Sequence, residues 1–179
     1  VHDREMIKHD DRSTYLPNAA NKHWVRNSGV HSKSELVSMI SSGKSMCPGH
    51  NLRNEIASKY EGAVDLYGRM HNPIDKKEEG LNNYMFSITV ENGSYSTYIT
   101  EKLMDCFATG TIPIYLGSPD VAEHFNEDGI IFLKEDTDIN SLTEDLYYSK
   151  IDAIRDNYDR CMSTKSADDL IYEEILKIV

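Results

Sequence analysis

The chain has little of what several common classes of protein require. Its three cysteines, Cys47, Cys106 and Cys161, are widely spaced and form no Cys-x-x-Cys pair, which predicts free thiols in a reducing compartment rather than a disulfide framework. No apolar run approaches the roughly 20 residues that a membrane-spanning helix needs, and no signal peptide opens the chain at Val1. We therefore expect a soluble, cytoplasmic segment; a full-length protein tethered to a membrane is the open alternative.

Basic residues are also scarce. The chain has 19 Lys and Arg against 30 Asp and Glu, a net charge of −11 and a pI near 5.0. This balance argues against nucleic acid or an anionic membrane as the main partner, because both favour basic surfaces. The length of 179 residues suits one domain, with or without an arm. Two full Rossmann domains would not fit.

The common nucleotide-binding loops and zinc motifs are missing as well. No Gly-x-Gly-x-x-Gly or Walker loop follows the first predicted strand, 36–41. The sequence therefore lacks the usual motifs for enzymes that use NAD or ATP. The spacing of His2, His9, His23 and His31 fits no zinc pattern. We interpret residues 1–34 as a polar arm or interdomain segment with one packed side chain, Trp24, and residues 35–179 as the folded domain.

What the chain does contain is an alternation of strand and helix patterns. Strands are predicted at 36–41, 63–69, 84–90, 112–116 and 129–133. Helices are predicted after the first strand, at 98–109, from Ser118-Pro119, around 139–146, and at about 150–161 and 167–178. We expect the last two helices to pack against the sheet or reach a partner domain. The pattern predicts an α/β fold with a mainly parallel sheet and helices on both faces.

The predicted helix at 98–109 has the most informative polar residues. Thr97 is its expected N-cap and Gly110 its expected stop. Helical spacing places four polar residues on one side, away from the apolar face: Tyr98, Glu101, Lys102 and Asp105. A lysine in the first turn opposes the helix dipole at a cost of about 0.3–1 kcal/mol unless an anion lies beside it. The pattern therefore indicates either an anion site or an ordinary solvated face.

Three runs of residues in this region closely resemble the signature of the α-1,3-fucosyltransferases of glycosyltransferase family 10. They are Val90-Glu91-Asn92, Tyr98-Ile99-Thr100-Glu101-Lys102 and Gly110-Thr111-Ile112-Pro113-Ile114-Tyr115-Leu116-Gly117-Ser118. The resemblance extends from about Glu35 to Leu133. It implies the C-terminal, Rossmann-like domain of a GT-B enzyme, which binds GDP-fucose. The implied reaction transfers fucose from GDP-fucose to a hydroxyl of a glycan acceptor with inversion, and it needs no obligatory metal or other cofactor.

The resemblance also implies two cationic contacts to the donor. In the family pattern an arginine follows the first strand and contacts the pyrophosphate, and Arg53 matches that position. Bidentate guanidinium geometry suits such a contact. Lys102 would be the second cation, and together the two would offset the charge that builds on the leaving group.

Four further residues are implied to lie around the donor. Tyr98 would touch a phosphate or the guanosine ribose, and Glu101 would accept hydrogen bonds from ribose hydroxyls. Glu91 and Asn92, at the end of the third strand, would line the fucose and diphosphate side of the pocket. Asp136-Thr137-Asp138 spells the Asp-x-Asp metal motif of GT-A enzymes, but we interpret it as helix capping because the GT-B resemblance needs no metal.

The match has one gap, which leaves alternatives open. In the two-domain enzymes the proposed catalytic base is a glutamate of an N-terminal acceptor domain, so we assign no base here and expect this chain alone to be inactive. A missing acceptor domain would be its partner. The main alternative is a stand-alone GDP-sugar or nucleotide-binding module without transferase activity. A flavodoxin-like regulatory domain would need an acidic cluster after the first strand, where Ser41-Ser42-Gly43 supplies none.

Overall fold

The computed structural model describes residues 22–177. Within that range strands and helices alternate. The strands are β1 Glu35–Ile40, β2 Asp65–Tyr67, β3 Tyr84–Val90, β4 Ile112–Leu116 and β5 Ile131–Phe132. The α-helices are α1 Pro48–Lys59, α2 Glu101–Ala108, α3 Glu144–Ser149, α4 Ile151–Ser163 and α5 Ala167–Leu176. Short 3₁₀ turns span Lys77–Gly80, Val121–Glu123, Glu127–Gly129 and Ile139–Ser141.

The strands form one parallel sheet in the order β2-β1-β3-β4-β5. In the register, Val37 lies opposite Phe86, and Ile88 lies opposite Ile114. All seven residues of β3, the central strand, are buried, as expected where helices cover both faces of a parallel sheet. The predicted α/β fold is confirmed. The chain leaves β1 towards β2 on one side and continues from β3 on the other, so the sheet has a switch point between β1 and β3, where open α/β folds bind ligands.

Two apolar clusters hold the helices to the sheet. One joins α1 and α3 to the strands, with Ile56 and Tyr147 packed among residues such as Phe86. The other surrounds α2, where Leu103 and Phe107 are 0% and 2% exposed. The α4 helix supplies Ile154 to the first cluster and Cys161 to the second, while α2 and α4 also contact each other. Both clusters together hold α1 and α2 against the sheet, and the starts of these two helices flank the switch point.

The start of α2 differs from the prediction. Thr100, not Thr97, is the N-cap, and its hydroxyl accepts a hydrogen bond from the Lys102 backbone N–H. Thr97 adopts a left-handed backbone with φ +64°, and Tyr98 precedes the helix. The reason is a long-range contact, because Glu91 at the end of β3 accepts hydrogen bonds from the N–H and hydroxyl of Thr100. The predicted stop is confirmed, since Gly110 follows the helix with φ +68°.

Other element boundaries also need correction. Ser118-Pro119 does not begin a helix; the 3₁₀ turn there starts at Val121. The helix predicted around 139–146 is broken into the 3₁₀ turn and α3, with Thr143 capping α3. The last two helices form within a few residues of the prediction, but α5 has no buried residue. Packing against the sheet, one of the two expectations for α5, is therefore wrong, and contact of α5 with a partner domain stays a prediction.

The segment 22–34 lies on the domain rather than extending as a solvated arm, and residues 1–21 fall outside the description, including His2 and His9. Val25 is 3% exposed, whereas Trp24 is 68% exposed, so the expectation of a packed Trp24 is wrong. The Gly29 N–H donates to the carbonyl of Ala108 at the end of α2. The domain boundary at residue 35 stays a prediction.

Cys47, Cys106 and Cys161 are all free thiols, as predicted. None of the helices in residues 22–177 is both long enough and apolar enough to span a bilayer.

Candidate functional site

Glu91 and Lys102 connect the end of β3 to the start of α2. Glu91 is 1% exposed, and its carboxylate oxygens accept bonds from the Thr100 N–H at 3.0 Å and the Thr100 hydroxyl at 2.7 Å. Lys102 Nζ lies 3.4 Å from Glu91 Oε2 and 3.0 Å from Thr100 Oγ1. Burial raises the pKa of the Glu91 carboxyl, although Lys102 and the Thr100 bonds oppose the shift. The lysine is thus held by a buried carboxylate rather than being free on a solvated face.

Arg53 lies on the other side of the same strand end. Its Nη2 donates to Oδ1 of Asn92 at 2.6 Å, and its Nε donates to the carbonyl of Gly49 at 3.1 Å. The start of α1 comes very close to β3, since a Cβ on Gly49 would lie only 2.1 Å from the Glu91 carbonyl oxygen. Only glycine permits this approach. Two of the five guanidinium donors are used by these contacts, so the side chain is oriented while donors remain for a ligand.

A pocket with a volume of about 350 Å³ opens beside these groups. Of the six residues predicted for the donor site, its lining includes Arg53, Asn92, Glu101 and Lys102. Glu91 and Tyr98 are not in the lining. Glu91 is buried beneath Lys102, and Tyr98 is half-buried with its ring edge-on to Tyr95 at 5.8 Å. Four of the six are therefore brought together at one pocket.

The same pocket contains side chains that the sequence did not suggest. Additional cations line it at Lys44 and Lys77, beside the aromatic ring of Trp24. Lys77 Nζ lies 2.5 Å from Asp105 Oδ2 and 3.9 Å from Glu101 Oε1. In a chain of net charge −11, four cations around two carboxylates make the pocket locally basic. No local pattern marked Lys77, because its partners are distant in sequence.

Asp105 corrects the predicted polar face of α2. It was expected to point away from the apolar side with Lys102, yet it is 1% exposed. Its Oδ1 accepts hydrogen bonds from the backbone N–H groups of Trp24 and Val25, and its Oδ2 bonds Lys77. The segment before β1 folds over this side of the helix and covers it. A helical projection cannot show that Asp105 is covered, because the covering segment lies 80 residues earlier in the sequence.

Carboxylates that could hold a metal lie elsewhere. Asp138 acts as a cap, accepting a hydrogen bond from the Asn140 N–H, as the capping interpretation predicted. Among the described residues, one group of three has ligand atoms within 4.8 Å of one another: Asp120, Glu123 and His124. Burial alone would raise the pKa of the Asp120 carboxyl. Hydrogen bonds from Ser118, Ser96 and the Thr97 N–H outweigh that effect and lower the pKa to about 2. These bonds fasten the loop before α2.

Residues 30–169 match the family model described as glycosyltransferase family 10 (fucosyltransferase), C-terminal part. The chain belongs to glycosyltransferase family 10. The matched range contains β1 to α4 and every predicted donor-site residue, so the resemblance seen in the sequence is confirmed. Trp24 lies outside it.

Individual family members match over shorter stretches. The α-(1,3)-fucosyltransferase FucT of Helicobacter pylori is 45% identical over 53 residues, which is 30% of this chain and 11% of that protein. A putative fucosyltransferase-like protein of Arabidopsis thaliana is 29% identical over 111 residues, 58% of this chain and 22% of that protein. A crystal structure of an α1,3-fucosyltransferase with GDP is 27% identical with a TM-score of 0.51, covering 70% of this chain and 38% of that one. The chain thus spans well under half the length of these relatives.

Proposed function

We propose that this chain is the donor-binding part of a fucosyltransferase and that it binds GDP-fucose. The whole enzyme would transfer the fucose, with inversion, to a hydroxyl of a glycan. The observation that carries the proposal is the meeting of Arg53, Asn92 and Lys102 beside a 350 Å³ pocket at the sheet's switch point. Small-molecule sites typically occupy about 300–1,000 Å³. Family membership and the GDP in the crystal structure of a relative support the same ligand.

Arg53 and Lys102 would bind the diphosphate. Both are cations held in place by neighbouring oxygens, so little reorganisation is needed when negative charge grows on the departing GDP. We propose that these side chains, rather than a divalent metal or another cofactor, offset that charge. Asn92, which orients Arg53, would line the same side of the pocket.

The remaining predicted contacts divide into two kinds. Glu101 lines the pocket and would accept hydrogen bonds from the ribose hydroxyls. Tyr98 stays a proposed contact to a phosphate or the ribose, and it would need a change in the loop before α2 to reach the ligand. For Glu91, burial beneath Lys102 favours a positioning role: it would hold the lysine and the helix start rather than touch fucose.

No carboxylate of the pocket is placed to act as the base. Asp105 is buried and paired with Lys77, and Glu101 lies between Lys77 and Lys102 at 3.9 and 3.3 Å. A base must reach the acceptor hydroxyl, directly or through one water. We therefore propose that the base and the glycan site belong to a separate acceptor domain. The same pairing is also compatible with the second candidate, a stand-alone GDP-sugar-binding module. Fucose transfer by a longer form of the protein would distinguish the two, because this chain alone is expected to be inactive in both cases.

The test of donor binding is calorimetric titration of the chain with GDP, GDP-fucose, ADP and UDP. We expect GDP and GDP-fucose to bind more tightly than ADP and UDP, and binding to weaken as salt is added, because part of the attraction is between exposed charges. Arg53→Lys should weaken GDP binding by about ten-fold, or about 1.4 kcal/mol, since it loses the planar guanidinium.

The matched control is Arg155→Lys, an exposed arginine on α4 outside the pocket lining. It should leave the affinity for GDP unchanged. Equal heats for all four nucleotides, or an equal effect of the two arginine variants, would remove the donor-site proposal.

A further inference from the structure

Trp24 is the only tryptophan of the chain, and this residue lines the pocket and is 68% exposed. A row of contacts along the wall connects it to the proposed diphosphate end. Lys102 Nζ lies 3.3 Å from Glu101 Oε1, and the same oxygen lies 3.9 Å from Lys77 Nζ. Lys77 Nζ in turn lies 4.7 Å from the centre of the Trp24 ring. The row thus runs from a proposed phosphate contact, past a proposed ribose contact, to an aromatic ring.

The exposed ring is attached to buried groups. The backbone N–H groups of Trp24 and Val25 both donate to Asp105 Oδ1, and Lys77 donates to the other oxygen of that carboxylate. Asp105 and Val25 are 1% and 3% exposed. One buried carboxylate therefore fixes both the backbone that carries the indole and the ammonium beside it. An aromatic surface held in this way is preorganised for stacking, so little conformational freedom is lost on binding.

We propose that Trp24 and Lys77 form the nucleobase subsite of this pocket, with Trp24 as the stacking surface and Lys77 as the group that selects guanine. The proposal rests on the proposed function, because it extends the same ligand beyond the ribose. Stacking on an aromatic ring accepts any base, since every base has a π face. Selection must then come from hydrogen bonds at the edge of the base.

Lys77 has the chemistry to make that selection. An ammonium has three donors and no acceptor, and Asp105 takes one of the three. Guanine presents two acceptors on one edge, O6 and N7, whereas adenine replaces O6 with an amino donor. Lys77 therefore favours guanine and disfavours adenine. Trp24 lies before the family match at residues 30–169, so the stacking surface is contributed by a part of the chain outside the family's conserved model.

The single tryptophan gives a direct readout. Titration of the chain with GDP should change the fluorescence of Trp24, whereas inorganic pyrophosphate, which has no base, should leave it unchanged. By calorimetry, Trp24→Ala should weaken GDP binding about 5- to 150-fold, the effect of losing one base-stacking contact. Trp24→Phe should restore most of the affinity, and pyrophosphate should bind both variants as it binds the parent chain.

Lys77→Met tests selection separately from stacking. It should reduce the preference for GDP over ADP at least several-fold, while Trp24→Ala should weaken both nucleotides alike. The control is Lys59→Met, because Lys59 also lies over an aromatic ring, with Nζ 4.9 Å from the centre of Tyr60, but does not line the pocket. Melting temperatures of all the variants verify that each is folded.

The outcomes distinguish the nucleobase subsite from the proposed binding of GDP-fucose on which it rests. If GDP binds by calorimetry but neither alters Trp24 fluorescence nor depends on Trp24 or Lys77, the base lies elsewhere and the subsite is wrong while donor binding stands. If GDP does not bind the parent chain at all, both are wrong. A loss of GDP affinity in Lys59→Met equal to that in Lys77→Met would also overturn the selective role.

Discussion

Lys102 has two roles: it would bind the proposed ligand, and it forms an ion pair with the buried carboxylate of Glu91. Its Nζ is within 3.4 Å of Glu91 and 3.3 Å of Glu101, and Glu91 is almost fully buried. A buried carboxylate that loses its cationic partner is costly, because the remaining charge is left without compensation in a poorly hydrated place. Lys102 is therefore more than a ligand contact on a surface helix, and its replacement should affect two measurements.

Lys102→Ala should weaken GDP binding by about 1.5–3 kcal/mol, the value of a charge-assisted hydrogen bond. It should also lower the free energy of unfolding by about 1–3 kcal/mol, since Glu91 loses its cation and keeps only its hydrogen bonds from Thr100. Calorimetry measures the first effect and urea denaturation the second.

Glu91→Gln separates the two effects, because a neutral side chain of the same shape needs no cation. Adding Lys102→Ala to Glu91→Gln should still weaken GDP binding but should cost little further stability. If the stability loss is the same in both backgrounds, the pairing of Lys102 with Glu91 does not contribute to folding.

Some residues of the pocket could be predicted from the sequence and others could not. Arg53, Asn92, Glu101 and Lys102 could be predicted because a family signature fixes their positions, and all four line the pocket. Trp24 and Asp105 could not, since their environment depends on a segment that folds back over α2. On average a tryptophan is largely buried and a carboxylate on a helix is exposed. Here the segment that folds back over α2 reverses both preferences.

At the level of elements, Lys33 shows how irregular segments are fastened to the sheet. Its side chain is buried, and Nζ contacts the carbonyls of Leu81, Asn82 and Thr109 and the hydroxyl of Thr111. The lysine thus joins the segment before β1 to the turns preceding β3 and β4. Burial lowers the pKa of Lys33 to about 7 from its ordinary 10.5.

This shift predicts a pH dependence of stability. Between pH 7 and 10.5 the unfolded chain holds a proton on Lys33 that the folded chain has released. Stability rises with pH wherever the unfolded state binds more protons. The parent chain should therefore gain stability relative to Lys33→Met as the pH is raised through this window, measured by urea denaturation.

Lys134→Met, at an exposed lysine, is the control and should show no such change relative to the parent. A difference between the parent and Lys33→Met that is constant from pH 7 to 10 would mean that the ammonium stays charged among its four oxygen partners.

The boundaries of elements were predicted unevenly for a physical reason. The end of α2 depends on Gly110, a local signal, and was predicted correctly. The start of α2 depends on Glu91, nine residues before Thr100 and in another element, and was misplaced. Strands with local apolar patterns were found within a few residues. Helix starts that rely on distant side chains could not be found in this way.

For the whole molecule, the alternation of elements predicted the α/β fold but not the strand order. The order places β1 beside β3, and this adjacency brings Arg53 from one strand-helix unit to Asn92 of the next. The pocket is thus a consequence of topology. It also makes a basic site within a chain of net charge −11, which favours a small anionic ligand over a large polyanion, because the rest of the surface would repel the latter.

The last prediction concerns what the whole chain can catalyse. Given GDP-fucose and N-acetyllactosamine, the chain alone should bind the donor and hydrolyse it slowly, but should transfer no fucose above background. Positioning of the acceptor and base can supply roughly 7–11 kcal/mol of a barrier, and the carboxylates lining the pocket are already paired with lysines. The measurement compares radiolabelled fucose incorporated into the glycan with radiolabelled free fucose.

Any longer form of the protein that its gene encodes should transfer fucose. Efficient transfer by this chain alone would place the base within it, and Glu101, with a side chain 17% exposed against 0% for Glu91, would then be the first residue to replace, because a base must reach its substrate.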